Sequence, residues 1–122
     1  MAAAQRFGFR RALFAALSWL SLVGLGQPAS AQRNDCAHEA ESIRKAESQL
    51  PRLEVAPPED KQIVCITLET NILFARRLTA HVSQCPRSPY ARHAETWQRA
   101  GTQYAAQFND RRCTPAIKGY RG

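Results

Sequence analysis

Four cysteines are the strongest constraint on what this chain can fold into. They stand at Cys36, Cys65, Cys85 and Cys113, separated by 28, 19 and 27 residues. No two have the C-x-x-C spacing that holds zinc or works as a redox pair, and no C-x-x-C-H haem-attachment motif is present. An even count in a short chain reads as two disulfides. Which of the three pairings forms depends on the secondary structure around them.

Three segments carry helical period. Asn34-Asp35 can cap a first helix in which Cys36, Ala40, Ile43 and Leu50 share one side, and Pro51 stops it. Pro57-Pro58-Glu59-Asp60 offers a rigid start and first-turn acids to a second helix, whose Cys65, Leu68, Ile72, Ala75 and Val82 fall on one face. Its early part, IVCIT at residues 63–67, is rich in β-formers and suits a short strand, but the period runs on to Val82 and favours helix. Ser88-Pro89 marks a third start, serine at the cap and proline in the first turn. Tyr90, Ala94, Trp97, Gly101, Tyr104 and Phe108 then step by four and three, an apolar packing seam. Gly101 in that seam costs about 1 kcal/mol of helix propensity relative to alanine, which close approach of a neighbouring helix would explain. Arg111 and Arg112 suit the negative C-terminal end.

Short connections make the fold class all-α, an up-down-up three-helix bundle, and the bundle selects the pairing. Cys65 and Cys85 lie 20 positions apart on the second helix, about 30 Å at 1.5 Å per residue. A disulfide holds its Cα atoms within about 7 Å. Cys85 and Cys113 bracket the third helix and are equally distant. Cys36–Cys85 and Cys65–Cys113 remain. Each closes a loop worth roughly 4 kcal/mol of chain entropy, and because the loops overlap the two contributions do not simply add.

The N-terminal stretch supplies the compartment. A basic start with Arg6, Arg10 and Arg11 precedes fifteen residues of apolar character at 12–26, then Gln27-Pro28 and the small residues Ala29-Ser30-Ala31. That is the layout of a secretory signal peptide covering residues 1–31, with cleavage after Ala31. The apolar run is short for a membrane anchor, which wants about 20 residues. Paired arginines in FRRALF leave ordinary and twin-arginine export both open. Of the 122 residues 91 remain: a stapled domain at 32–113 and a flexible tail at 114–122. So small a domain gains much from covalent staples. The destination is the periplasm or the exterior.

Cysteines at these separations, behind a signal peptide and within helices, resemble a group of small exported bacterial proteins of unassigned function. The resemblance spans nearly all of the mature chain. It implies the same fold and compartment and brings no activity with it.

Charge is unevenly spread. The formal net charge of +7 becomes +4 once the three signal arginines are set aside. Residues 34–60 carry three basic and seven acidic groups, and residues 61–122 carry ten and three. A basic second half can face an anionic envelope polymer, an acidic protein or nucleic acid. Nucleic acid fits worst, since no recognition motif or aromatic stacking platform accompanies the charge. Arg76, Arg77, Arg87, Arg92 and Arg99 are the candidate anion-binding residues, against the plain alternative of a solvated face.

His81 lies one turn before Cys85, and His93 shares a helical stripe with Tyr90 and Trp97. If both point inward, they form a candidate zinc or copper pair, with Glu95 or Glu39 as a further ligand. His38 sits about 200° around its helix from Cys36 and faces away. No cofactor is otherwise indicated. The sequence holds no G-x-S-x-G, H-E-x-x-H, phosphate-cradling glycine loop or C-x-x-C. The expectation is therefore a non-enzymatic binding protein, chaperone-like or inhibitor-like, that contacts a protein or an anionic envelope component; the alternative is a metal-binding protein using His81 and His93.

Overall fold

The computed structural model describes residues 29–118, with side chains from Asp35 onward. Residues 1–28, which carry most of the expected signal peptide, and the tail end at 119–122 lie outside the described residues. Three helices follow in order, α1 (Ala29–Ser48), α2 (Lys61–Gln84) and α3 (Ala94–Asp110), with 3-10 turns at Leu53–Val55 and Ala91–His93. No strand occurs among the described residues.

The helix boundaries are set locally, not always where the sequence cues stand. α1 passes through Asn34-Asp35, so the expected cap lies inside the helix. It closes at Ser48 through tightened bonds from Gln49 N to Ala46 O and from Leu50 N to Glu47 O, ahead of Pro51. Asp60 is the true cap of α2: its Oδ1 accepts from Ile63 N at 3.1 Å. IVCIT is helical throughout. Ser88-Pro89 opens a 3-10 lead-in, and the α-helix proper starts later, behind His93.

The C-terminal end of α3 is a Schellman turn. Arg112 takes the left-handed position at φ 54°, its N–H bonds Asn109 O, and Cys113 N–H bonds Phe108 O. The same turn packs Cys113 against the cluster that holds Phe108, in keeping with the apolar contact that often accompanies this motif. Cys113 is thereby aimed at the start of α2.

Both disulfides form as the bundle geometry requires. Cys36–Cys85 and Cys65–Cys113 bring their Cα atoms to 5.8 and 5.5 Å. The first joins the early part of α1 to the end of α2, the second the start of α2 to the end of α3, so neighbouring helices run antiparallel. With no free cysteine, the chain suits a non-reducing, extracytoplasmic environment.

α2 is the central element. One apolar cluster sets Val64, Leu68 and Ile72 against Phe108, covered by Leu53, Ala56 and Tyr104. A second sets Phe74 and Leu78 against Ile43 of α1, with Tyr90, Ala94 and Trp97 at its edge. Phe74 and Trp97 meet edge to face at 4.6 Å. Gly101 faces Ala75, and a methyl on the glycine would stand 2.9 Å from the Ala75 Cβ. Close helix approach is therefore what the glycine serves. α1 is held far more lightly: among its described side chains only Ile43 is fully buried.

Candidate functional site

Because α1 leans on α2 without closing against α3, an open cleft runs along each of its sides. The first lies between α1 and the end of α2. Its volume is about 630 Å³, and Asp35, His38, Glu39, Arg77 and His81 line it together with the Cys36–Cys85 bridge. Arg77 spans the gap, donating from Nε to Glu39 Oε1 at 2.9 Å and from a terminal nitrogen to Ser42 Oγ at 2.7 Å. Those bonds hold the Glu39 carboxyl below its ordinary value, the Arg77 hydrogen bond being the main cause.

The second cleft, also about 630 Å³, separates α1 from the lead-in and first turns of α3. Tyr90, Trp97, Ala37 and Ala40 make it apolar, and Arg44, Glu47, Arg92 and His93 add charge and polarity. Burial raises the Tyr90 hydroxyl pKa, and the Glu47 carboxylate facing it adds to the effect. Glu41 lies low, chiefly because Arg44 donates to both of its oxygens, at 2.9 and 2.6 Å. An aromatic and methyl surface edged by both signs of charge can take an amphipathic guest, its apolar part on Trp97 and its polar groups outward.

The five candidate arginines do not converge. Arg77 clamps α1, and Arg99 pairs with Glu95 at 2.7 Å across one helical turn. Arg76 borders the groove between α2 and α3 beside Thr79 and Thr102. Arg87 is exposed on the α2–α3 connection, and Arg92 lines the aromatic cleft. Arg92 stands in a cleft with the aromatic surface of Tyr90 and Trp97.

The histidines also part company. His81 is buried, and its Nε2 meets Ser88 Oγ at 2.7 Å; that same oxygen accepts from Tyr90 N at 3.2 Å. This pair secures the chain reversal after Cys85. His93 is exposed; it keeps its expected neighbours, its ring meeting Tyr90 edge to face at 6.5 Å in the cleft that Trp97 also lines. The two line different clefts, and Glu95 is bound to Arg99. His38, expected to face away, lines the first cleft with His81. Among the described residues no group of three or more histidine, cysteine or acidic side chains is placed to hold a metal ion.

Glu69 belongs to no motif in the sequence. It is 1% exposed, and its oxygens accept from Ala116 N at 3.0 and 3.1 Å and from Ile117 N at 2.9 Å. The first part of the tail is thus strapped onto α2. A hint was present in the pattern: Glu69 stands one turn after Cys65 and three residues before Ile72, on a face otherwise apolar. Asn71 plays a similar part for the α1–α2 connection, donating to Pro51 O at 2.9 Å and Thr67 O at 2.8 Å.

No protein-family model, curated protein or solved structure matches this chain. No helix among the described residues is long and apolar enough to cross a membrane.

Proposed function

We propose that this chain is an exported, non-enzymatic binding protein, released to the periplasm or the exterior by cleavage after Ala31, and that it contacts a protein segment or an anionic envelope component. The observation that carries this reading is the aromatic cleft beside α1. It sets Tyr90 and Trp97 next to Arg92 on a frame held by disulfides. The arginine supplies an anion contact, and the rings supply apolar area at low conformational cost. Rigid staples suit such a role, because a preformed cleft gives up less entropy when it is filled.

The test uses tryptophan fluorescence. The sequence has two tryptophans, Trp19 and Trp97, so in the cleaved protein Trp97 is the sole reporter and lines the cleft. Titration with anionic lipid vesicles, lipopolysaccharide and soluble cell-wall fragments, and with partners recovered by crosslinking through position 92, should give a saturable change for one of them. Arg92→Ala should weaken it at least tenfold. If none produces a saturable change, or Arg92→Ala leaves the affinity intact, the reading fails.

A further inference from the structure

We propose that the Cys36–Cys85 bond is a redox clamp on α1: opened by a dithiol reductant, it lets α1 swing away and uncovers an apolar groove on α2 and α3. This goes beyond the binding role above and does not depend on which ligand fills the aromatic cleft.

The two bridges hold very different things. Cys65–Cys113 joins α2 to α3, which already share the cluster of Val64, Leu68, Ile72 and Phe108 and the close approach at Gly101. The Glu69 strap secures the segment just beyond Cys113 as well. Opening that bond leaves the pair packed. Cys36–Cys85 ties down α1, whose other anchors include the buried Ile43, the partly buried Ala46 and, just past the helix, Leu50, the Arg77 bonds to Glu39 and Ser42, and the Glu47 carboxylate against the Tyr90 hydroxyl. The Arg77–Glu39 pair is 40% exposed on both sides, where ion pairs hold weakly.

What lies beneath α1 is apolar. Phe74 and Leu78 are 5% and 0% exposed, and Tyr90, Ala94 and Trp97 flank them. Departure of α1 removes Ile43 and Ala46 from this cluster and leaves a groove that had held a helix. In the opened form this apolar surface meets solvent, where an apolar dye can report it.

The bond is also reachable. Cys36 is half-buried and Cys85 9% exposed, and both residues line the open cleft beside His38, His81 and Arg77. A cationic neighbour such as Arg77 favours a departing thiolate. Cys65 borders a cleft too, with Lys61 and Arg112, so access does not separate the bridges; what each one releases does. In the exchange, a reductant thiolate attacks Cys36 Sγ, and Cys85 leaves with the bonding electron pair and takes up a proton. The second reductant thiol then attacks its partner sulfur in the mixed disulfide and expels the Cys36 thiolate, which is protonated. Two electrons and two protons pass to the protein, and the dithiol becomes a disulfide.

The test compares hydrogen exchange by mass spectrometry in wild type, C36S/C85S and C65S/C113S, with an apolar dye as second readout. In C36S/C85S protection across residues 35–48 should fall about a hundredfold, α2 and α3 should stay protected, and dye should bind. In C65S/C113S the α1 amides should keep their protection. Should C36S/C85S fold poorly, graded dithiol treatment of the wild-type protein, with alkylation to isolate the species open only at Cys36 and Cys85, gives the same readout. If α1 in the opened protein remains as protected as in the oxidised one, or all three helices lose protection together, the proposal is wrong.

Discussion

Replacing Gly101 with alanine sets two opposing effects against each other. Alanine is the better helix former by about 1 kcal/mol, so an exposed Gly101 would make the change stabilising. The structure puts the new methyl 2.9 Å from the Ala75 Cβ, whereas carbon atoms pack best at about 3.5–4.0 Å. The helices must therefore part by roughly 0.6 Å or more. Neither methyl can rotate away, since each is fixed to its backbone, and Cys65–Cys113 ties the pair at one end. Overpacking of this kind costs about 1–3 kcal/mol, so the net expectation is destabilisation by roughly 1 kcal/mol after the propensity gain. Urea unfolding followed by far-UV circular dichroism, with both disulfides intact, measures it. Ala75→Gly in the same background should relieve the clash, giving a coupling of at least about 1 kcal/mol in the double-mutant cycle. A Gly101→Ala protein more stable than wild type, or a coupling near zero, would refute the close approach.

Three further perturbations test other parts of the account. The Ala116 and Ile117 amides share Glu69 Oε1, and Glu69→Gln keeps that acceptor but replaces Oε2, which Ala116 N also meets, with a buried N–H donor. It should cost about 2–3 kcal/mol and speed hydrogen exchange at those two amides more than anywhere else. Arg112→Gly removes the penalty of a side chain at positive φ and should stabilise by about 0.5–1 kcal/mol, seen as a raised urea midpoint with an unchanged slope. The Glu39 carboxyl lies below its unfolded value of 4.5, so its pairing contributes above about pH 4.5 and is lost as the pH falls through the native value. Because the pair is partly exposed, the effect is only about 0.5 kcal/mol, and Arg77→Gln should flatten the stability profile in that window.

The parts of the fold that were legible in the sequence were those governed by length and period. Twenty positions between Cys65 and Cys85 rule out their bonding once α2 is continuous, and the run from Cys65 to Val82 shows that it is. The Gly101 approach followed from a glycine placed in an apolar seam. What escaped was settled by a few local hydrogen bonds. Ser88 does make a cap's bond, its hydroxyl accepting from Tyr90 N–H, but the turn behind it is 3-10, and the α-helix starts only at Ala94, after an exposed His93. Arg77 resembled any surface arginine until Glu39, 38 positions earlier, was found against it. Glu69 could be marked as an acid on an apolar face, but its partners are backbone amides, which carry no side-chain signature.

Export and a single disulfide pairing are read out together by intact mass spectrometry with disulfide mapping, on protein from the exported fraction without reductant. The predicted result is a chain beginning at Gln32, four hydrogens lighter than its reduced form, whose proteolytic fragments are joined only as Cys36 with Cys85 and Cys65 with Cys113. Retention of residues 1–31, free thiols in the recovered protein, or a crossed pairing would contradict it.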